Sequence, residues 1–405
     1  MSLSSITKPS DDGWNEFYLL KDAENSADDA YRIKANNREY YSSGVQAVFN
    51  VYAGNHDIQA GVRIHSDEMD RFQWEDRYGM QSGQLVMTTQ ATKGSDSNRI
   101  DSAEATALFV EDKFTTGAMT ITAGARYEEI TVKRDDWGKT DPDRSETPSK
   151  REHTIDVVVP GIGVEYAINE FQTVSVGIHK GFAPPGPGTS GVTDKAVDPE
   201  TSMNTEIGFK SNKGLNSLEF TLFMNSYDNL LGADTAASGG GSDELFNGGA
   251  VDISGFELYL RRILVDNGRI QMPLELAWTN TNSEFQESFD GFWGDVSKGD
   301  ELPYLPDTMI ALNLGLNVDK ISANISMKKT SEMRTVAGSG SISSSNATDE
   351  LTIIDLGLRY ALQDNIRLSV GINNFMDDDG VVSRRPYGAR PTMPRSFSLG
   401  VDYTF

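Results

Sequence analysis

The chain has 405 residues, with 36 Lys and Arg against 60 Asp and Glu, a formal net charge of −24 at pH 7, 38% hydrophobic residues and no cysteine. The negative charge argues against nucleic acid as a partner, and the absence of cysteine excludes disulfides and thiolate metal sites. Mean hydropathy is −0.43, and no stretch approaches the ~20 apolar residues of a membrane helix. Strands that cross a membrane remain compatible with this composition, because only every second residue of such a strand must be apolar.

The first forty residues carry little regular pattern. Residues 1–8 lack the basic start and apolar stretch of a secretory signal, so the chain is either cytosolic or begins after a leader has been removed. Residues 14–20 are predicted to form a strand, followed by a polar connection over 21–37. The first clear strand spans about residues 40–53.

From there to the end, apolar and polar residues alternate with period two. Segments 56–64, 119–127, 270–278, 321–327 and 366–372 each carry apolar side chains on one face only. The last segment, 395–405, alternates strictly and ends in an aromatic carboxy-terminus. Such strands suit a membrane barrel or the half-buried edge of a soluble sheet. Pro273, in segment 270–278, has no backbone N–H to donate to a neighbouring strand, which predicts a strand end or a bulge at this position.

The connections between these strands alternate in length. Short turns lie near residues 54–55, 116–117, 169–170, 212–214, 266–268, 319–320 and 363–364, and long polar connections near 66–103, 133–153, 183–199, 230–250, 283–304, 331–350 and 376–393. This alternation is typical of an outer-membrane barrel, whereas a soluble sandwich would mix its loop lengths. We therefore predict an all-β fold, a transmembrane antiparallel up-and-down β-barrel. About 15 strands are clear, and residues 14–20 would supply an outward-running sixteenth.

Four stretches occur in the order found in one protein family. They are residues 174–185 (VSVGIHKGFAPP), 198–210 (DPETSMNTEIGFK), 255–257 (GFE) and 371–377 (GINNFMD). Together with the terminal PRSFSLGVDYTF, they resemble the barrel of the TonB-dependent outer-membrane receptors. Residues 383–394 (SRRPYGARPTMP) and 70–77 (DRFQWEDR) look most like the ferric-citrate receptors of that family.

The resemblance implies a 22-stranded barrel with a plugged lumen, placed in the lipid of a Gram-negative outer membrane. Neither a plug nor a coupling motif is recognisable here, so residues 1–405 are expected to be a partial barrel domain without the plug and the first strands. The implied function is energy-coupled uptake of a ferric chelate, either a siderophore or ferric citrate. The TonB protein would act through the missing N-terminal region, and the receptor is expected to be a monomer. A passive porin-like channel and a soluble or surface β-sheet adhesion protein remain as alternatives.

No enzyme is predicted, because no catalytic triad, phosphate-binding loop or paired-carboxylate motif is present. The four histidines have no metal-ligand spacing, and no cofactor is expected beyond the transported chelate. Anionic chelates are best held by guanidinium groups. The predicted ligand-binding residues are therefore arginines of two long connections, although each of them could instead pair with a neighbouring acid. They are Arg384, Arg385 and Arg390 in the last connection, then Arg71 and Arg77 in the first.

Overall fold

The computed structural model describes residues 14–184, 199–233, 245–247, 249–291, 294–384 and 388–405. In chain order the elements are α1 (Trp14–Lys21), β1 (Tyr31–Ala35), β2 (Arg38–Ala53), β3 (His56–Gln81), β4 (Gln84–Thr89), β5 (Ser97–Thr116), β6 (Met119–Asp136), β7 (Ser149–Asn169), β8 (Gln172–Ala183), β9 (Glu200–Lys213), β10 (Asn216–Tyr227), β11 (Leu231–Ala233), β12 (Leu245–Asn247), β13 (Val251–Asp266), β14 (Ile270–Phe285), β15 (Phe289–Gly291), β16 (Gly294–Val296), β17 (Thr308–Val318), β18 (Ile321–Thr330), a 3₁₀ turn (Ser344–Asn346), β19 (Leu351–Gln363), β20 (Ile366–Asn373), β21 (Val381–Ser383), β22 (Arg390–Pro391) and β23 (Ser396–Tyr403).

One large antiparallel sheet contains seventeen of these strands. Two of them, β1 and β4, pair only with the far part of β3. The other fifteen follow one another as β2, β3, β5, β6, β7, β8, β9, β10, β13, β14, β17, β18, β19, β20 and β23. The predicted all-β, antiparallel, up-and-down arrangement and its fifteen clear strands are confirmed. In the described residues no ladder joins the edge strands β2 and β23.

The predicted strand over residues 14–20 is wrong, because this segment forms the helix α1. The sequence WNEFYLLK has no period-two pattern, and Glu16 and Lys21 complement the helix dipole at its two ends. The hydroxyl of Tyr31 donates to the Glu16 carbonyl over 2.8 Å, which ties the helix to β1. No helix in the described part of the chain is long and apolar enough to span a membrane.

The sheet has one apolar and one polar face. Side chains on the apolar face are large and exposed, as shown by Leu108, which is 52% exposed. A row of neighbours on this face runs across five strands through Ala47, Val62, Leu108, Tyr127 and Val158. A corresponding row on the polar face consists of Arg261, Glu275, Asn313, Ser326 and Asp355. The two-sided character predicted from the alternation is therefore present across the sheet.

All seven predicted short turns are present and lie at one end of the sheet, which we call the turn end. Left-handed backbone at Gly54, Gly117, Gly214, Gly268 and Asp319, with φ between 49° and 80°, closes five of them. The opposite end, which carries the long connections, is called the outer end.

The predicted extent of the long connections is partly wrong. Strand β3 has 26 residues, β5 has 20 and β7 has 21, so much of 66–103 and 133–153 is strand. About 9–11 residues suffice to cross a bilayer. The excess residues extend the ladder at the outer end. There polar residues lie on both faces, mixed on β3 with Phe72, Trp74 and Tyr78, so the strict alternation of a half-apolar strand disappears.

Pro273 lies at a β-bulge, as predicted. It is the fourth residue of β14 and faces Ile263 at the point where the β13–β14 register shifts between Ile263 and Val265. Next to it, Gly315 of β17 leaves room for the ring, since a Cβ atom there would lie 2.8 Å from Pro273 Cγ.

Candidate functional site

Five arginines on neighbouring strands form a band on the polar face at the outer end. Arg71 of β3 lies directly opposite Arg38 of β2 and Arg99 of β5. In the next row toward the turn end, Arg134 of β6 lies opposite Asp101 of β5 and Arg151 of β7. We call Arg38, Arg71, Arg99, Arg134 and Arg151 the arginine band.

The band concentrates positive charge in a strongly acidic chain. Its two rows contain five arginines but only two aspartates, Asp101 and Asp136, among ten register partners. Asp101 accepts from Arg99 Nε at 3.2 Å and from Arg134 Nε at 2.5 Å. Like charges placed directly opposite one another on a sheet destabilise it. A functional role for these arginines, such as the binding of an anion, would account for placing them opposite one another.

Two of these arginines are held by amide side chains. Arg71 is only 7% exposed, and its Nε donates to Gln73 Oε1 at 3.0 Å. Arg38 Nε donates to Asn36 Oδ1, also at 3.0 Å. Amide partners orient a guanidinium and, unlike a carboxylate, add no negative charge of their own.

Below the band, toward the turn end, the polar face carries a buried apolar cluster. It comprises Ala105, Ile130, Val132 and Ile155, with Ala103 and Phe182 packed against it. Ala103 and Val132 occupy the row next to Asp101 and Arg134. Because this buried cluster excludes water, the neighbouring charges of the arginine band interact in a lower effective dielectric than in bulk solvent.

The predicted ligand-binding residues are divided between different regions. Arg71 belongs to the arginine band, whereas Arg77 lies further out on β3, opposite Arg32 of β1 and Thr89 of β4. Both are in a strand and not in a loop, because β3 continues to Gln81.

The predicted residues of the last connection are not seen to form one cluster. Arg384 donates from Nε to the Ala347 carbonyl at 2.6 Å and from Nη2 to the Ser344 carbonyl at 2.8 Å, so it joins two outer connections. Arg390 is exposed in β22. Arg385 lies outside the described residues.

Four members of the arginine band, Arg38, Arg99, Arg134 and Arg151, were not predicted from the sequence. Hairpin register could have found part of the band. The short turn after Thr116 places Asp101 opposite Arg134 and Arg99 opposite Asp136. Counting outward from that turn would have shown the clustering, had the ladder been expected to continue so far.

The β-barrel domain model of TonB-dependent receptors matches residues 6–375. The chain belongs to this family. Solved structures similar to this TonB-dependent receptor chain include the siderophore receptor PiuA from Acinetobacter baumannii, at 16% identity and a TM-score of 0.70, with 92% of this chain and 56% of that one covered. The unliganded ferric citrate transporter FecA is 18% identical, with a TM-score of 0.69 and coverage of 92% and 55%. The copper transporter OprC is 15% identical, with a TM-score of 0.67 and coverage of 92% and 58%. A comparison with curated proteins gives no match.

Family membership determines the location of this chain. TonB-dependent receptors are transporters of the Gram-negative outer membrane and not enzymes. This chain carries their β-barrel domain and is an outer-membrane protein. At these identities the structural similarity shows the fold alone. The chain spans little more than half the length of these solved structures.

Proposed function

We propose that this chain forms part of the barrel wall of a receptor that takes up a ferric chelate of the siderophore or ferric-citrate class, with energy supplied by TonB. The arginine band is the observation that carries this proposal. Guanidinium groups hold carboxylates with two parallel hydrogen bonds. A band of them at the outer end, where cargo arrives, suits an anionic chelate.

The same band argues against a bare metal ion as cargo. Copper prefers soft thioether, thiolate or imidazole ligands. The arginine band offers cationic donors, which repel a free metal cation and attract the negatively charged ligands that enclose ferric iron.

The two faces of the sheet support a path through a barrel. The polar face, with rows such as Arg261, Glu275, Asn313, Ser326 and Asp355, would line the lumen. The apolar face would contact outer-membrane lipid. We propose that the receptor works as a monomer and that TonB engages it through a region outside this chain.

The edges of the sheet support a barrel that is completed by further strands. With fifteen consecutive antiparallel strands, β2 and β23 run in the same direction, so direct pairing between them would be parallel. An antiparallel closure needs an odd number of additional strands, and about seven would complete the 22 of a plugged transporter. We therefore propose that the chain is a partial barrel domain, with the plug and the first strands supplied by another part of the receptor.

Uptake of ⁵⁵Fe tests this function. The whole receptor would be expressed in a Gram-negative strain that lacks its own ferric-chelate receptors, with and without a functional TonB. We expect uptake from ferric citrate or a siderophore that disappears without TonB. Uptake that persists without TonB would favour the porin alternative. Accumulation of copper without iron would reject the ferric cargo.

The arginines of the last connection are proposed as additional ligand contacts. Arg384→Ala combined with Arg385→Ala is expected to weaken ferric-citrate binding by the intact receptor while leaving folding unchanged. Because Arg384 also joins two connections, Arg390→Ala serves as a companion variant that disturbs no such contact. Unaltered dissociation constants in both would remove this part of the proposal.

A further inference from the structure

A cavity of about 290 Å³ lies at the outer ends of β5, β6 and β7. Three members of the arginine band, Arg99, Arg134 and Arg151, line it together with Lys139 and the acids Asp96 and Asp136. Four cations and two carboxylates therefore line the cavity, and a third carboxylate, that of Asp101, is bonded to Arg99 and Arg134. One of the two carboxylates is already occupied, because Lys34 Nζ lies 2.5 Å from Asp96 Oδ2.

Arg134 has a buried N–H donor that forms no hydrogen bond with the described residues. Its side chain is almost fully buried, and Nε is bound to Asp101. The Nη1 atom is buried and has no hydrogen-bond partner among the described residues. An unsatisfied buried donor on a charged group is costly. Because Arg134 lines the cavity, an oxyanion drawn against its guanidinium would remove that cost.

Arg151 lies directly opposite Arg134 and adds a second available guanidinium. It forms no hydrogen bond or ion pair with the residues that the structure describes. Lys139 Nζ is 3.7 Å from Asp96 Oδ1 and 68% exposed at the rim, so it can turn toward a ligand. Two arginines side by side present the parallel donors that carboxylates and phosphates accept.

We propose that this cavity binds one oxyanion group, a carboxylate or a phosphate, with Arg134 and Arg151 as its main donors and Lys139 as a third charge. The anion site itself does not depend on the proposed function, but the identity of the bound anion does. In a ferric-chelate receptor the group would be a free carboxylate of the chelate. A free phosphate shares the same chemistry and is the other possible source.

Calorimetric titration of the intact receptor in zwitterionic micelles at low salt tests the site. Citrate and inorganic phosphate are the two probes. Arg134→Lys keeps a cation beside Asp101 but removes the guanidinium donors, and we expect it to weaken binding by about tenfold or more. Arg151→Gln should weaken binding several-fold. The matched control is Arg269→Gln, at the turn end, where the native arginine pairs with Asp319 at 3.0 Å.

The outcomes separate the site from the transport function. Binding of citrate or phosphate that weakens in both band variants and is unchanged in Arg269→Gln supports the site, and the preferred probe identifies the source. Binding that is equal in all variants, or absent from the native receptor, overturns it. If Arg134→Lys fails to fold, as judged by heat-modifiable migration, Arg151→Gln decides alone, because Arg151 has no hydrogen bond or ion pair among the described residues to lose. Anion binding without TonB-dependent uptake would retain the site and reject the proposed function.

Discussion

Asp96 affects both the stability of the fold and the charge of the cavity, because its carboxylate pairs with Lys34 and also lines the cavity. Burial alone would raise the pKa of its carboxyl. The hydrogen bond and charge of Lys34, with the charges of Lys139 and Arg71, outweigh burial and hold the pKa below its ordinary value. A carboxyl whose pKa is lowered by folding stabilises the native state above its unfolded pKa, and this contribution is lost as the pH falls through the lowered value.

Asp96→Asn should therefore act in opposite directions on folding and binding. We expect it to lower the free energy of unfolding at pH 7 by on the order of 1 kcal/mol. The difference from the native chain should shrink as the pH falls below about 4. The variant should also bind citrate or phosphate more tightly, because it removes a negative charge from the cavity. Urea unfolding at pH 7 and pH 3, with calorimetry at pH 7, measures both effects.

Lys34→Gln is the matched control for Asp96→Asn. It breaks the same ion pair, so its effect on stability should have the same sign. It also removes the positive charge that offsets the negative charge of Asp96. The cavity therefore becomes more negative, and anion binding should weaken. If the two variants change anion binding in the same direction, the charge of Asp96 does not control the cavity.

At this scale the sequence indicated the type of side chain but not the grouping of the side chains. Guanidinium groups were expected from the charge of a ferric chelate, and of the five arginines predicted, Arg71 lies in the arginine band. Arg99, Arg134 and Arg151 are far apart in sequence, and only strand register brings them together. Register depends on the whole ladder, which a search through separate connections does not reveal.

Among the strands, the contact between Pro273 and Gly315 shows how a bulge is accommodated. Gly315→Ala would place a Cβ atom 2.8 Å from Pro273 Cγ and 3.2 Å from Pro273 Cδ. Because the proline ring is fixed to its own backbone, it cannot move away as a flexible side chain could. We expect a destabilisation of about 1–3 kcal/mol, measured as the folded fraction against urea by heat-modifiable migration.

Gly177→Ala is the control for this substitution, since its nearest neighbour, the Ile162 carbonyl oxygen, would lie 3.9 Å from the new Cβ atom. Adding Pro273→Ala to Gly315→Ala should restore part of the lost stability, because the two residues are in contact. Additive effects in the double variant would show that the ring is not the cause.

Strands were predictable where one of their faces is apolar. Alternation and tight turns located fifteen strands and all seven short turns, and the missing N–H of Pro273 indicated its bulge. The same criterion failed at the outer ends of β3, β5, β6 and β7, where the strands continue with polar residues on both faces. It also failed at α1, where a strand was predicted to supply an outward-running sixteenth.

At the scale of the whole molecule, the most important feature is that the two edge strands, β2 and β23, each lack a partner strand on one side in the described residues. Side chains of β2 and β23 are exposed on both faces, with Val45 73% and Leu399 85% exposed. An edge strand in lipid leaves about half of its backbone N–H and C=O groups without partners, which a bilayer does not tolerate. The edges therefore favour pairing with further strands.

Hydrogen exchange followed by mass spectrometry tests this completion. In the refolded 405-residue chain, amides of β2 and β23 should exchange much faster than those of β6, because β6 pairs with a neighbour on each side. In the whole receptor, the amides of β2 and β23 should become as protected as those of β6, since additional antiparallel strands would then occupy both edges. The central strand thus serves as an internal control in both samples. Full protection of β2 and β23 in the 405-residue chain alone would show that the sheet closes on itself, and the proposed additional strands would be unnecessary.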